Sequence, residues 1–398
     1  MQVEGCKNTF IMKNTYHFKL WWKRWLARAF DVLGGVVFFI LRKFAPKPLV
    51  KDIRKILVIR LDHIGDVVMT RPAIRTLHKK FPHAEIDLLT SAEAAPLFEH
   101  SREIHQVIVA KGAWFSRGAT VGGMWKEFWR LVTFLSKIGY DMAFDFRGDV
   151  RNILLMTCCQ IPHRYGFGVT GGGFLLTENA PYDRTIHQVL VNLSLLRSFH
   201  VPQDNKLLPF EYPRERSATF WKEVDQAPPS TNLPRIAVHM GAGTPAKRWD
   251  IEDWRALFYQ IDQQDLAQII LIGTETEKEL LPDLKIDTAH LIDLRGRTAL
   301  ADLPILFDVC DMYIGGDSGP AHIAAAQGLE IVLLASGTND IRIWYPWTER
   351  LHIVQHEVPC APCELTVCPV EGHPCMDLIS VEQVFDAAER VLQKFKHI

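Results

Sequence analysis

The sequence shows no excess of charge of either sign, since 45 Lys and Arg residues are balanced by 46 Asp and Glu residues. Proteins that bind nucleic acid usually carry a clear positive excess, so no nucleic-acid partner is expected. Sequence repeats and low-complexity tracts are also lacking. What remains is a globular composition, 48% hydrophobic and 23% charged, with ample material for a core.

The amino terminus lacks an apolar run long enough to span a bilayer. Residues 32–41 are uncharged and apolar, but this segment is far shorter than the roughly 20 residues that a spanning helix needs. No small-residue cleavage site follows, which argues against a signal peptide. Residues 16–30 interleave tryptophans with lysines and arginines, a pattern typical of the membrane interface.

We therefore predict that residues 16–43 lie on a membrane surface. Basic residues on both sides of the apolar run favour the cytoplasmic face of the inner membrane. The alternative is a helical extension that packs on the protein's own core.

The length of 398 residues predicts two domains. Beyond the extension at 1–50, short apolar strands alternate with amphipathic helices, which is typical of parallel sheets covered on both faces. A polar, proline-rich stretch at 226–234 interrupts the alternation. We predict an α/β protein with one Rossmann-like domain at 51–225 and another at 226–398. Such domains usually bind ligands at the carboxyl ends of their strands, so a cleft is expected between them.

The predicted elements follow from the spacing of apolar residues. The first domain has strands at 55–59, 86–90, 106–109 and 141–146, a loop containing Gly65 and Asp66, a helix from there to Phe81 kinked at Pro72, and a helix at 125–138. The second has strands at 235–240, 268–272, 289–293, 311–315 and 330–335, with helices at 250–264, 275–281, 302–310, 320–327 and 380–395.

The segment 312–328 carries the strongest functional signal. A buried strand ends in two glycines, Asp317 or Ser318 can cap a helix, and Pro320 suits its first turn. The amino end of a helix presents unpaired N–H groups and a positive dipole, which together bind anions. Ser318 and His322 add side-chain donors at the same end. The alternative is a tight turn whose glycines serve packing alone.

A second turn of this kind follows the strand 235–240. It contains Gly241, Gly243 and Lys247 before an amphipathic helix, so Lys247 can supply a point charge to phosphate oxygens. The alternative is that Lys247 and Arg248 lie at a solvated helix entry. Two such turns in one domain favour phosphate binding.

Asp66 follows the first strand and faces the predicted cleft. A carboxylate there can accept a proton from an attacking hydroxyl, with Asp62, His63 and Arg71 as neighbours that could position the acceptor. The alternative is that Asp66 merely caps a helix. No Asp-x-Asp triplet occurs, although transferases that hold a diphosphate through a divalent metal often use one. Its absence indicates that positive protein groups bear the charge of the leaving group.

Four cysteines, Cys360, Cys363, Cys368 and Cys375, lie close together near the carboxyl end. Stable disulfides are disfavoured in the cytosol, so structural zinc is the first candidate. Free thiols, disulfides and an iron–sulfur cluster are the alternatives. The distance from the cleft loops favours a structural role.

Three segments together resemble the lipopolysaccharide heptosyltransferases, glycosyltransferase family 9. These segments are 59–66 with Pro72, 241–249 and 316–322. The resemblance extends over residues 54–395 and implies the GT-B fold, in which two Rossmann-like domains face a central cleft. It also implies an ADP-sugar donor, a lipopolysaccharide or lipid A-core acceptor, inversion, and no catalytic cofactor.

The resemblance also implies roles for single residues. Asp66 matches the catalytic base, and Lys247 matches the lysine on the donor phosphates, beside Gly243. Asp317 matches an acidic donor-site residue, and Ser318, Gly319 and His322 match its phosphate-binding neighbours. Glu277 matches a carboxylate that contacts the ribose, although Glu275 competes for this role.

The predicted function is transfer of a heptose, or a related sugar, to a lipopolysaccharide core sugar. One alternative is a GT-B enzyme with another donor, such as a UDP-sugar transferase or epimerase. Another is a membrane-attached scaffold that binds lipopolysaccharide precursors without turnover.

Overall fold

The structure is a computed structural model that describes residues 16, 20–44, 52–111, 120–226, 232–281, 284 and 290–395. Two six-stranded parallel sheets organise the chain, one in each half. Most of the predicted linker at 226–234, residues 227–231, lies outside the described residues.

The first sheet has the strand order β3-β2-β1-β4-β5-β6. Its strands are β1 (Lys55–Arg60), β2 (Glu85–Ser91), β3 (Gln106–Ala110), β4 (Met142–Asp145), β5 (His163–Gly166) and β6 (Glu178–Asn179). The order reverses between β1 and β4, which pair in parallel. The crevice beyond the carboxyl ends of these two strands is where open α/β sheets bind ligands.

The second sheet repeats this plan with the order β12-β11-β10-β7-β8-β9. Its strands are β7 (Arg235–His239), β8 (Gln268–Ile272), β9 (Leu291–Asp293), β10 (Met312–Gly316), β11 (Glu330–Ala335) and β12 (Leu351–Gln355). Here the order reverses between β7 and β10. Both phosphate-binding turns predicted from the sequence leave the sheet at this crevice.

Helices cover both faces of each sheet, as a fully buried parallel sheet requires. The first half has α1 (Trp21–Phe44), α2 (Ile64–Val68), α3 (Arg71–Lys80), α4 (Val121–Ile138), α5 (Val150–Cys158), α6 (Gln188–Ser194) and α7 (Arg214–Glu223). The second has α8 (Ile251–Gln263), α9 (Glu275–Leu280), α10 (Leu303–Phe307), α11 (Gly319–Gln327), α12 (Ile341–Trp344), α13 (Pro374–Asp377) and α14 (Val381–Leu392).

The predicted loop and kinked helix after β1 are wrong in detail. Gly65 and Asp66 lie inside α2, which ends at Val68, and α3 begins at Arg71 with Pro72 in its first turn. Proline lacks the N–H that a helix interior needs but suits a helix start, so it separates two helices instead of bending one. The segment 147–225, for which the sequence predicts no elements, contains α5, β5, β6, α6 and α7.

Helix α1 packs on the first half through one narrow stripe. Ala27 is buried, Phe30 and Phe174 meet edge to face at 5.3 Å, and the Asp31 carboxylate accepts a hydrogen bond from the backbone N–H of Gly172 at 2.6 Å. Most of the other side chains described in residues 21–36 are exposed, among them Trp21, Trp25 and Leu33. Among the residues described, no helix combines the length and apolar character needed to cross a membrane.

Helix α7 packs toward the second half, although it precedes the linker. The Arg216 guanidinium lies 2.6 Å from the Asp302 carboxylate, and Arg297 donates to the backbone oxygen of Val224 at 3.2 Å. The connection before α7 makes a further bridge, because the side-chain oxygen of Gln327 accepts from the backbone N–H of Phe210 at 2.6 Å. The two halves are therefore joined by direct contacts between their side chains and backbone.

Candidate functional site

The turn from β10 to α11 has the local geometry of an anion site. Ser318 is the N-cap of α11 in extended conformation, and its side chain does not bond the first turn of the helix. Its hydroxyl lies instead 3.3 Å from Nδ1 of His239, at the end of the neighbouring strand β7. Pro320 has no N–H and the Ala321 N–H donates to Ser318 O at 3.1 Å, so the amino end of α11 offers an anion its positive dipole and the Gly319 N–H.

An ion pair joins the two glycine turns. The Lys247 ammonium lies 2.7 Å from the Asp317 carboxylate, and Asn339 donates to the same carboxylate at 2.7 Å. Asp317 is buried, which disfavours its charge, but His322 and Lys247 outweigh this effect and lower its pKa. Lys247 is only 17% exposed at its side chain, so a solvated helix entry is not its environment.

Gly243 lies in the same turn beside open space. A Cβ atom built on it would meet no atom within 4 Å. Lys247 and Gly243 thus border a place where a ligand can approach the backbone closely.

The structure distinguishes the two candidate carboxylates of α9. Glu277 forms a capping box with Thr274 and lies 3.6 Å from Nε2 of His239. Burial opposes its ionisation, but His239 and Thr274 together lower the pKa of Glu277. Glu277 packs on the backbone of Gly241, whereas Glu275 packs on Gly296. Of the two, Glu277 therefore adjoins the candidate phosphate-binding turn at Gly241.

Asp66 occupies the corresponding crevice of the first half. Its carboxylate lies 2.8 Å from the guanidinium of Arg60, which is itself 2% exposed. Burial and the nearby Asp62 raise the pKa of Asp66, while the Arg60 cation partly offsets them. A buried carboxylate with a raised pKa in a cleft suits a general base.

The neighbours of Asp66 differ in what they contact. Asp62 lies 3.5 Å from the Arg60 guanidinium and 3.7 Å from that of Arg147. His63 is the N-cap of α2 and makes no side-chain capping bond. Asp62 is thus held in the charged group around Asp66.

Arg71 is directed elsewhere. Its guanidinium donates to the backbone oxygens of Leu208 and Pro209 and lies 4.0 Å from the ring centre of Phe210. It therefore braces the connection that leads to α7, and the structure does not bring it to Asp66.

The two halves of the site meet where α2 contacts α11. A Cβ atom built on Gly65 would lie 2.7 Å from Cδ2 of His322. One built on Gly319 would lie 3.2 Å from Cβ of Ile64. The helix that carries Asp66 and the helix that begins at the candidate phosphate-binding turn are therefore in direct contact.

The cysteine segment does not support the predicted zinc site. Within the described ranges, no three His, Cys, Asp or Glu side chains are grouped so that they could hold a metal ion. The predicted ligands are all described, and each is a free thiol: Cys360, Cys363, Cys368 and Cys375. Backbone contacts hold this segment instead, as between Cys363 N–H and Gly337 O at 3.0 Å.

The same segment braces the Lys247 turn from behind. The backbone N–H of Ala246 donates to Thr366 O at 3.1 Å, and Nε2 of His373 lies 3.1 Å from Ala246 O. The prediction that the cysteine segment lies far from the cleft loops is therefore wrong. The cysteine segment, residues 360–375, supports the turn that carries Lys247.

Several residues of the site escape sequence reasoning. His239 and Arg60 end β7 and β1, whereas Asn339 and Arg147 follow β11 and β4. Polar residues just past buried strands are a usable signal, because carboxyl ends of parallel strands share one edge. Which of them pairs with Asp317, Glu277, Asp66 or Asp62 can be predicted only when the order of the strands in the sheet is known.

Comparisons with known proteins agree with this geometry. The model of glycosyltransferase family 9 (heptosyltransferase) matches residues 128–373, more than half of the chain. Lipopolysaccharide heptosyltransferase 3 of Escherichia coli (strain K12) is 25% identical over 297 residues, which are 72% of this chain and 83% of that protein.

Solved structures show the same fold. The glycosyl transferase family 9 structure from Veillonella parvula DSM 2008 has a TM-score of 0.72 at 21% identity, covering 87% of this chain and 99% of that one. The E. coli ADP-heptose LPS heptosyltransferase II structure has a TM-score of 0.69 at 23% identity, covering 86% and 99%. The predicted GT-B fold is confirmed by the two sheets and by these similarities.

Proposed function

The chain belongs to glycosyltransferase family 9, and on this basis we propose that it transfers a heptose from an ADP-activated donor to a lipopolysaccharide core sugar, with inversion. The observation that carries the proposal is the contact between α2 and α11. It sets Asp66 and the phosphate-binding turn on adjoining walls of one cleft.

The donor diphosphate would bind at the amino end of α11. Two of the three Lys247 N–H groups are engaged by Asp317, at its carboxylate and at its backbone oxygen 3.3 Å away. One N–H then remains for a phosphate oxygen. Ser318, His322 and the Gly319 N–H at the start of α11 would supply further donors, with Glu277 at the ribose. Asp317 holds the ammonium in place and is not itself a phosphate ligand.

The acceptor would bind the first half. Its hydroxyl would lose a proton to the Asp66 carboxylate as its oxygen bonds to the anomeric carbon of the heptose. The bond from that carbon to the diphosphate oxygen breaks, and ADP leaves with the electron pair. Attack opposite the leaving group inverts the configuration. Positive protein groups bear the developing charge, so no metal or other cofactor takes part.

The acceptor is lipid-linked in this proposal, and α1 would attach the chain to the cytoplasmic face of the inner membrane. Exposed Trp21, Trp25 and Leu33 with Lys23 and Arg28 give α1 the chemistry of an interfacial helix. The same helix also packs on the first half, so the two alternatives for this segment are compatible.

The test is nucleotide titration followed by turnover. Calorimetry should show tight ADP binding and no UDP response, and ADP-heptose with a truncated core acceptor should give an inverted linkage by NMR. Added chelator should leave the rate unchanged. UDP binding would favour another donor, ADP binding without turnover would favour a scaffold, and a chelator-sensitive rate would reject the metal-free mechanism.

A further inference from the structure

Helix α4 carries two tryptophans that its own half of the molecule leaves largely uncovered. Trp125 and Trp129 are 54% and 55% exposed. Each ring lies edge to face with Phe128, at centroid distances of 5.6 and 5.4 Å. Leaving two large aromatic side chains in water is costly, at about 25 cal/mol per Å² of apolar surface. Exposed apolar patches of this kind usually mark an interaction site.

The two tryptophans lie on the side of α4 that faces α5. Trp125, Trp129, Val132 and Ser136 are spaced i, i+4, i+7 and i+11, which places them in one stripe. The lower end of that stripe adjoins α5, because the thiol of Cys159 lies 3.8 Å from the backbone oxygen of Val132.

Helix α1 lies in the same layer, beyond α5. A Cβ atom built on Gly172 would lie 3.5 Å from Cγ2 of Ile153 in α5, and one built on Gly171 would lie 3.5 Å from Cβ of Ala27 in α1. The order across this layer is therefore α4, α5, the 171–175 segment and α1. The exposed tryptophans of α4 and those of α1 flank one surface of the first half.

The charges on this surface indicate the chemistry of the partner that it binds. Lys23, Arg28, Lys126 and Lys137 are exposed on the two helices. Among the described side chains of α1 and α4, each acidic group is engaged: Asp31 by Tyr16 and Gly172, and Glu127 by Arg130 and Lys111. Tryptophans among exposed cations without exposed acids match an anionic bilayer surface, where indole rings settle at the headgroup level.

We propose that α4 is a second membrane contact and that it forms, with α1, one surface that docks on anionic lipid. The inference rests on the proposed function, in which the acceptor is embedded in the membrane. Two contacts fix the orientation of the first half relative to the bilayer, whereas a single helix would allow it to rotate about that helix. The half that carries Asp66 is then held against the bilayer that presents the acceptor.

The experiment uses the full chain and vesicles of phosphatidylcholine with or without phosphatidylglycerol. Co-sedimentation of Trp125→Ser/Trp129→Ser with the anionic vesicles should fall about tenfold relative to the parent chain. The matched control, Ile353→Ser/Leu378→Ser, removes two exposed apolar side chains of the second half and should bind as the parent does. ADP affinity measured on each variant reports whether the fold is intact.

Three outcomes overturn the proposal. One is unchanged vesicle binding by the α4 variant when Trp21→Ser/Trp25→Ser abolishes it, which leaves α1 as the sole contact. Another is a dimer in sedimentation velocity that the α4 variant dissociates, which makes a second copy the occupant. The third is equal binding to neutral and anionic vesicles. The α4 variant should transfer to a soluble truncated acceptor at the parent rate, because this acceptor needs no membrane. If the proposed function itself is wrong, the parent chain will fail to transfer to the same acceptor, so the two failures are distinguishable.

Discussion

The backbone of Gly65 lies against the imidazole of His322, so close that a Cβ atom on Gly65 would lie 2.7 Å from ring carbon Cδ2. Gly65 precedes the candidate base Asp66, and His322 lies in the first turns of the candidate phosphate-binding helix. The contact therefore ties together the two walls on which the proposed reaction depends, and its disturbance should affect turnover more than folding.

Gly65→Ala is expected to lower kcat/KM about tenfold or more, because the new methyl group must displace the His322 ring or part α2 from α11. His322→Ala in the same chain removes the obstructing ring. The double variant should then lose less than the sum of the two single losses, in free energy. A double-mutant cycle on the transfer rate measures this coupling. Strictly additive losses would mean that the contact has no role in turnover.

Lys247→Met is expected to lower kcat/KM by a factor of 10²–10³, about 3–4 kcal/mol, because a preorganised donor to the leaving diphosphate is lost. ADP affinity by calorimetry should fall as well. The control is Lys394→Met, which breaks a similar pair with Glu330 at 3.0 Å in the same half and should leave both quantities unchanged. An unaltered ADP affinity in Lys247→Met would reject the phosphate role.

The pH profile should report the environment of Asp66. A base must be ionised, and burial raises the pKa of Asp66, so kcat/KM should begin to fall at a pH above the usual carboxyl range near ~4. Arg60→Gln removes the cation that favours the ionised form and should move this acid limb to still higher pH. Arg60→Lys, which keeps the charge, should move it less. An acid limb that stays in place in Arg60→Gln would show that Arg60 does not act through Asp66.

His373→Ala should raise the KM for the donor several-fold with little change in kcat, because Nε2 of His373 no longer contacts Ala246 O behind the Lys247 turn. His373→Gln, which keeps a polar group at the end of the side chain, should restore most of the affinity. His352→Ala breaks a contact with Glu330 in the same half and serves as control. A KM equal to that of the parent would mean that the cysteine segment does not position the turn.

Sequence reasoning succeeds where a local pattern carries the structure. The strand 55–59 differs from β1 by a single residue at its end, since a short apolar run buried on both faces has few alternatives. The local structure of 312–328 is also predicted correctly, because β10 ends at Gly316, Ser318 is the N-cap of α11 and Pro320 lies in the first turn of that helix.

Sequence reasoning fails where the local structure or pairing depends on tertiary contacts with distant parts of the chain. Pro72 can bend a helix or begin one, and the choice is made by packing around α2 and α3. The pairing of Lys247 with Asp317 joins residues 70 apart, and that of Arg60 with Asp66 requires a buried pocket. The cysteine spacing predicts metal ligands, yet the segment is held by backbone hydrogen bonds.

The central claim is that Asp66 takes the acceptor proton across from a bound ADP-sugar. Asp66→Asn keeps an oxygen toward Arg60 but removes the basic group, so ADP release from donor plus acceptor should fall by a factor of about 10²–10⁴ with ADP affinity unchanged. Asp386→Asn, at an exposed position of α14, should behave as the parent. Release at the parent rate by Asp66→Asn, with intact ADP binding, would contradict the account.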